Sequence, residues 1–268
     1  MTAATARKTA DRTRLDQLLV ERGHAPSRER AQALILAGSV RVGGEVADRA
    51  ALPVPAGAVV TVDPGPRFVS RGGEKLDGAL ADFGVAVTDL VVLDVGASTG
   101  GFTDRVLQGG ARVVYAIDVG RGQLDWRLRN DPRVVSREGV NARTGFVLPE
   151  RVDLIVADLS FISLRIALPP CFVHLREGGA VIALVKPQFE AGRAAVGRGG
   201  IVRDPAARAD AVVAVAEHFT AAGVGCVAIA PSRIPGREGN REIFVHGRQG
   251  DAGLAPGRIR EQAAEAAA

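Results

Sequence analysis

The sequence predicts an α/β protein in two parts, a small N-terminal α+β module followed by a larger doubly wound, Rossmann-like domain. Three observations carry that prediction. Apolar runs at 91–95, 113–117, 152–157, 180–185, 224–229 and 243–245 alternate with helical patterns at 75–83, 102–109 and 205–222. Continuous apolar runs are what strands covered on both faces of a mostly parallel sheet require. The N-terminal quarter reads differently, as short elements broken by Pro53, Pro55, Pro64 and Pro66. Finally, a glycine-rich turn follows the first long apolar run, where a doubly wound sheet holds its ligand.

Taken in order, residues 1–12 form an Ala/Thr/Arg-rich arm expected to be disordered and without the apolar stretch of a secretory signal. The module spans 13–66. Its first helix carries Leu15, Leu18 and Leu19 at helical spacing and stops at Gly23. Ser27 is a good N-cap for a second helix, 28–37, with Ala31, Leu34 and Ile35 on one face and Gly38 beyond its end. Strands are expected at 40–42 and 59–62. Residues 67–73 read as a connector, 74–248 as the doubly wound domain, and 249–268 as a largely irregular tail with a short Ala/Glu helix at its end. Asp204-Pro205 marks the start of the long helix at 205–222, an N-cap followed by proline at the first helical position.

Composition excludes several classes. No apolar run approaches the ~18 residues of a membrane span. The two cysteines, Cys171 and Cys226, show no metal-ligand or C-x-x-C spacing and sit among apolar neighbours. They read as reduced core residues of a cytoplasmic protein, and no metal is expected. The chain has 34 basic and 30 acidic residues; residues 1–72 hold 11 and 7 of them, leaving 23 and 23 for the rest. The excess positive charge therefore lies in the N-terminal segment, which suggests a polyanionic partner there.

Lysine usage is more telling. Of the 34 basic residues only Lys8, Lys75 and Lys186 are lysines. Arginine cannot lose its proton, whereas lysine can when its surroundings lower its pKa. Two lysines retained in the folded body of an arginine-dominated chain are candidates for chemistry.

The run Val91-Val92-Leu93-Asp94-Val95-Gly96-Ala97-Ser98-Thr99-Gly100-Gly101-Phe102 reads as strand, turn and helix start. Gly96 and Gly100 allow a ligand close to the backbone. The spacing from Asp94 is D-x-G-x-x-x-G, not the G-x-G-x-x-G of a dinucleotide site. Asp118, at the end of the next strand, can hold ribose hydroxyls. An adenosine-type cofactor is expected, S-adenosylmethionine rather than NAD, held by Asp94, Gly96, Ala97, Ser98, Thr99, Gly100, Gly101, Phe102 and Asp118.

Asp158 and Lys186 each follow an apolar strand, so both open onto the same crevice. Lys75 begins the helix before the first strand, and Glu242 lies at the start of the last one. Singly, each is an ordinary surface ion-pair residue. Together they suit methyl transfer to a ribose 2′-hydroxyl, a poor nucleophile until its proton is withdrawn or shared. A lysine does this when nearby positive charge favours its neutral form. In-line transfer from sulfur to oxygen then depends mainly on positioning. Lys186 is expected to be the base or hydroxyl-orienting group, framed by Lys75, Asp158 and Glu242.

At this point the motifs resemble known families. Arg14-Leu15-Asp16, Ser27-Arg28, Ala31, Ile35 and Gly38-x-Val40-x-Val42 resemble the RNA-binding module first described in ribosomal protein S-four. The large domain resembles the FtsJ/RrmJ-like RNA 2′-O-methyltransferases with a Lys-Asp-Lys-Glu tetrad. The combination, with Asp94–Thr103, Ala157–Ser163 and Val185–Glu190, resembles the TlyA (hemolysin A) family over about residues 13–247. That resemblance implies 2′-O-methylation of cytidines in ribosomal RNA of the small, and in some members the large, ribosomal subunit. It maps the tetrad onto Lys75, Asp158, Lys186 and Glu242, and the cofactor loop onto Asp94–Gly101 with Asp118 on the ribose. The chain departs from the family twice. Arg67-Phe68-Val69 stands where an Arg-x-Trp-Val linker is common, and Ile243 where an aromatic often follows the tetrad glutamate.

In the N-terminal module Arg14, Arg28, Arg30 and Arg41 are the candidates for gripping RNA phosphates. Stacking aromatics are absent from it, which favours recognition of shape and backbone. The stretch Gly192–Gly200 is expected to form a mobile loop near the substrate. Two other readings compete, a membrane-active protein and a non-catalytic RNA-binding assembly factor. The sequence offers no spanning segment for the first, and the intact tetrad speaks against the second.

Overall fold

A computed structural model describes residues 12–63 and 65–268 and divides the chain into two compact units, Met1–Arg67 and Phe68–Ala268. Apart from Arg12, the arm expected to be disordered lies outside the described residues. Arg12 belongs to a strand.

In the first unit β1 (Arg12–Arg14) leads into α1 (Leu15–Glu21), followed by α2 (Arg28–Leu36), β2 (Val40–Val42), β3 (Glu45–Val46), β4 (Pro53–Pro55) and β5 (Val60–Val62). β1 pairs with β4, and β2 lies between β3 and β5, all antiparallel. α2 starts at the expected cap, where Ser27 Oγ accepts from the Arg30 amide at 3.3 Å. Leu15, Leu19, Ala31, Ile35 and Val40 close a small core.

The second unit runs α3 (Arg71–Phe83), β6 (Val91–Val95), α4 (Gly101–Gln108), β7 (Val113–Asp118), α5 (Trp126–Arg129), β8 (Val134–Glu138), β9 (Val152–Ala157), α6 (Leu164–Ala167), α7 (Pro169–Phe172), β10 (Leu175–Val185), α8 (Pro187–Glu190), α9 (Pro205–Ala221), β11 (Val224–Pro231), β12 (Ile243–Gln249) and α10 (Pro256–Ala267). Its sheet has the order β11-β12-β10-β9-β6-β7-β8. β12 is antiparallel to both neighbours and the other pairs are parallel. Alternation along β6 sends Val91, Leu93 and Val95 into one apolar layer with Val212 and Phe219 of α9. Val92 points the other way, to Leu76 of α3 and Phe102 and Val106 of α4. This is the doubly wound, mostly parallel sheet that the alternating pattern predicts.

The first unit adds β1, β3 and β4 to the two strands expected there, and the second unit differs from the sequence reading in three further places. α3 already begins at Arg71, inside the expected connector. Phe68 is buried against Gly73, where any side chain would collide with the Phe68 ring, so the chain is packed from Phe68 onward. β8 is an edge strand that the sequence reading omitted, because Ser136, Arg137 and Glu138 break its apolar run. The expected tail contains a twelve-residue helix, α10, rather than a mainly irregular segment. Ile259, Ala263 and Ala267 of α10 are buried in the layer that includes α9. Buried Arg208 of α9 donates to the Ala267 carbonyl at 2.9 Å. Among the described residues no helix is long and apolar enough to cross a membrane.

Candidate active site

The carboxyl ends of β6, β7, β9 and β10 open onto one cleft. Gly96 and Gly100 adopt φ of +82° and +95°, and Ser98 between them takes +49°, an uncommon value for a residue with a side chain. A side chain at position 96 would meet Leu159 at 2.6 Å and the Asp158 carbonyl at 3.0 Å. The turn is pinned by the Gly96 and Ala97 amides, which donate to the Ile117 carbonyl at 2.9 and 3.1 Å. The Ser98 and Gly120 amides donate to the two carboxylate oxygens of Asp118, at 2.8 and 2.6 Å.

The cleft has two lobes of about 560 Å³ each that share Gly96, Ser98, Asp158 and Ser160. One contains Asp118, Val119, Asn141, Leu159 and Ile162 and is the more apolar. The other contains Ala97, Thr99, Gly101, Phe102, Lys75 and Lys186. Asp94 and Gly100 stand behind this surface. Gly100 packs under Leu124 and Leu128, where a side chain would not fit. Asp94 is fully buried; its Oδ2 accepts from Thr103 Oγ1 at 2.6 Å, and its Oδ1 has no hydrogen-bond partner. Burial pushes its carboxyl up to about 7.

The four residues of the tetrad form two ion pairs. Lys186 follows β10 and Asp158 follows β9, neighbouring parallel strands, and their charged atoms lie 2.6 Å apart. Lys186 Nζ also donates to Ser160 Oγ at 2.9 Å. Asp158 Oδ1, the atom that Lys186 approaches, is itself buried although the Asp158 side chain as a whole is partly exposed. Lys75 lies in the second turn of α3 rather than at its start, and its Nζ donates to Glu242 Oε2 at 2.5 Å. Glu242 sits immediately before β12 and touches Lys75 from behind. It opens not onto the cleft but onto a separate recess with Ser232 and Arg241. Lys75, Asp158 and Lys186 are thus the three that face the cleft.

In the first unit, Asp16 is buried and gathers the expected arginines. It accepts from Arg14 at 2.9 Å, Arg28 at 3.1 Å and Gln32 at 3.1 Å. Chiefly through Arg14, these donors hold its carboxyl well below the usual carboxylate range. Arg14 and Arg28 keep about half their side-chain surface exposed, 45% and 49%. Arg30 is exposed, and Arg41 donates to the Gly44 carbonyl at 3.3 Å.

Phe161 and Glu190 lie inside motifs the sequence displays, but their surroundings escape sequence reasoning. Phe161 is 90% exposed at a φ of +65° and tilts against Phe189, with ring centroids 5.2 Å apart. An exposed aromatic cannot be told from a core aromatic by pattern alone. Glu190 is buried and accepts from Ser163 Oγ and the Leu164 amide, both at 2.6 Å. It ties the segment after Lys186 to the segment after Asp158. The Gly192–Gly200 stretch forms two short 3-10 turns, and Asn240 Nδ2 donates to the Gly200 carbonyl at 2.8 Å.

A doubly wound sheet with this glycine turn at its carboxyl edge, and two lysine–carboxylate pairs beside it, is the site of an enzyme with an adenosine-type cofactor, and the family match makes it a methyltransferase. A family model described as FtsJ-like methyltransferase matches residues 68–249, and an S4 domain model matches residues 13–60. The 16S/23S rRNA (cytidine-2′-O)-methyltransferase TlyA of Mycobacterium tuberculosis is 49% identical over 240 residues, covering 88% of this chain and 90% of that one. Hemolysin A of Brachyspira hyodysenteriae is 41% identical over 236 residues, covering 87% and 98%. A solved structure of a candidate hemolysin from Streptococcus thermophilus superposes with a TM-score of 0.70 at 39% identity, covering 96% of each chain. The chain belongs to the FtsJ-like methyltransferases and, within them, to the TlyA family.

Proposed function

We propose that this methyltransferase transfers a methyl group from S-adenosylmethionine to the 2′-hydroxyl of cytidine in 16S, and in some settings 23S, ribosomal RNA. The observation that carries the reading is the Lys186–Asp158 pair, 2.6 Å apart, opening onto the lobe lined by the glycine turn. The residues present fit the cofactor. Gly96 brings the turn's backbone close against Leu159 and the Asp158 carbonyl and lines both lobes of the cleft, and Asp118 stands at the strand end where ribose hydroxyls bind. Asp94, Gly96, Ala97, Ser98, Thr99, Gly100, Gly101, Phe102 and Asp118 would hold it, some by contact and Asp94 and Gly100 by shaping the turn. Bound S-adenosylmethionine supplies an electrophilic methyl on a sulfonium.

Everything else falls to the chain. An ammonium has three N–H groups. Ser160 accepts one from Lys186 and Asp158 attracts the ammonium at 2.6 Å, which leaves a direction for the substrate oxygen. As an ammonium Lys186 orients the 2′-hydroxyl by donating to its oxygen. To act as the base it first releases one proton to solvent, and the lone pair so freed takes the hydroxyl proton as the oxygen–carbon bond forms. Asp158, 2.6 Å from the lysine, balances its charge as the proton moves. Lys75, braced by Glu242, adds positive charge beside the developing oxyanion. Phe161 offers an exposed ring on which a base drawn out of its helix can stack. In the S4 domain Arg14, Arg28, Arg30 and Arg41 supply a phosphate-gripping face, with Asp16 fixing the first two. Ribosomal RNA as the substrate places the work in the cytoplasm.

The test is a map of 2′-O-methyl sites in ribosomal RNA from cells with the wild-type chain, with Lys186→Ala, and with no copy. Cytidine marks present only with the wild-type chain are expected. Identical maps in all three would remove the proposal.

A further inference from the structure

The lobe that holds Lys186 contains four cations, Arg71, Lys75, Lys186 and Arg237. Three are engaged. Lys75 is paired with Glu242, Lys186 with Asp158, and Arg71 Nη2 donates to the Pro235 carbonyl at 3.0 Å. Arg237 is exposed and makes no hydrogen bond or ion pair among the described residues. Its side chain is free while its backbone is fixed. The Gly236 amide donates to the Asn240 carbonyl at 2.9 Å and the Gly239 amide to the Gly236 carbonyl at 3.0 Å. Asn240 itself is buried, and its Oδ1 accepts from the Val202 amide at 3.0 Å. Gly236 lies close to Glu242, whose Oε1 would be 2.7 Å from any side chain placed there. The turn that carries Arg237 is therefore locked against the same glutamate that braces Lys75.

A ribose 2′-hydroxyl never arrives alone. The neighbouring carbon bears the 3′-phosphodiester, so an anion enters the lobe with every RNA nucleotide that presents its 2′-oxygen to Lys186. Both lysines there already have a carboxylate partner, Glu242 for Lys75 and Asp158 for Lys186. A guanidinium without a partner supplies two parallel donors for phosphate oxygens and stays charged throughout. We infer that Arg237 grips the phosphodiester adjacent to the reacting 2′-hydroxyl and so sets the register of the target ribose over Lys186. The inference rests on the RNA reading above. The carboxylate of the methyl donor is the other anion that could meet Arg237, and the test separates the two.

Wild-type, Arg237→Ala and Arg237→Lys proteins are compared on unmethylated ribosomal subunits at several salt concentrations, and their affinity for S-adenosylmethionine is measured separately by calorimetry. Arg237→Ala is expected to lower kcat/KM for the subunit roughly tenfold, the scale of one charge-assisted hydrogen bond. Its plot of log kcat/KM against log salt should be shallower by about one, as for the loss of one phosphate contact. Affinity for S-adenosylmethionine should not change, and Arg237→Lys should recover part of the loss. Weakened S-adenosylmethionine binding with an unchanged salt slope would assign Arg237 to the donor and overturn the inference, as would unchanged kinetics. If the wild-type protein methylates neither subunit, the RNA reading itself fails. Normal wild-type activity beside an indifferent Arg237→Ala removes the clamp alone.

Discussion

The Lys75–Glu242 and Lys186–Asp158 pairs join the same kinds of charge at nearly the same separation, 2.5 and 2.6 Å. Their surroundings differ. The Glu242 side chain is 3% exposed and the Asp158 side chain 23%. A dry pair is strongly coupled, and losing either partner strands a charge that water cannot reach. A wetter pair can exchange one partner for an incoming hydroxyl at modest cost. Catalysis needs interactions that strengthen as the transition state forms. The open pair can provide them, whereas the buried pair serves better as a fixed source of charge and geometry. Under the proposed function, the open pair would be the working half of the motif and the buried pair its supporting half.

The largest expected effect lies in the working half. Lys186→Ala should reduce kcat by about 10³-fold, the scale of a lost acid–base group. Its melting temperature should stay near that of the wild type, because Asp158 already meets solvent. Lys186→Arg should fail nearly as badly, since a guanidinium keeps its proton. Single-turnover methylation and a thermal melt check both statements, and an active Lys186→Arg enzyme would break the assignment. In the supporting half the signature reverses. Lys75→Met should cost about 3 kcal/mol of stability, the penalty of an uncompensated buried carboxylate, as well as activity. Adding Glu242→Leu should restore the stability but not the rate. Denaturant titration of the single and double variants measures this. Equal stability of all three proteins would mean that the buried pair is no drier than the open one.

A smaller effect concerns what holds the open pair in place. Glu190 accepts from Ser163 Oγ and the Leu164 amide at 2.6 Å, and from Arg165 Nε at 3.4 Å. It links the segment bearing Asp158 and Ser160 to the segment bearing Lys186. Glu190→Gln keeps the shape and weakens the links. It should lower kcat about tenfold with little change in KM, because misplacement of the reacting groups acts on rate more than on binding. A purely structural role would lower the melting temperature and leave kcat of the folded protein intact.

How much of this was legible in the sequence follows from the physics of each element. β6 and β9 were readable because strands covered on both faces must be apolar throughout, and Val91–Val95 and Val152–Ala157 meet that demand except at Asp94 and Asp153. Asp118 ends β7, and Asp158 and Lys186 directly follow β9 and β10, so strand ends alone brought them to one edge. Pairing was not legible. Nothing in the chain order says that Lys75 meets Glu242, 167 positions away, rather than Asp158. Nor was it legible that Arg14 and Arg28 would share Asp16, because such a choice depends on how α1 packs on α2. α10 was understated because its inward face is mostly alanine, which carries little hydrophobic signal. Arg237 looked like any other arginine until its lack of a partner became visible.

The smallest expected effect tests a third acid, Asp94, a buried carboxyl with no lysine beside it. It is what Glu242 would become without Lys75. Burial raises its pKa to about 7 from an ordinary 3.8. Between those values the folded chain holds a proton that the unfolded chain has released. Stability tied to this group is therefore fully present below about pH 4 and is lost as pH rises through about 7. Asp94→Asn cannot ionise and escapes that loss. At pH 8.5 the variant should exceed the wild type by roughly 1 kcal/mol, a heavily discounted share of a shift worth about 1.4 kcal/mol per pKa unit. The gap should close as the pH falls toward 5, because a protonated carboxyl and an amide impose similar demands on Thr103, whose hydroxyl donates to Asp94 at 2.6 Å. Urea titrations across that range decide it. A gap that stays constant with pH would show that Asp94 ionises as freely as a solvated acid. The contrast between a buried carboxylate with a lysine and one without would then lose its physical basis.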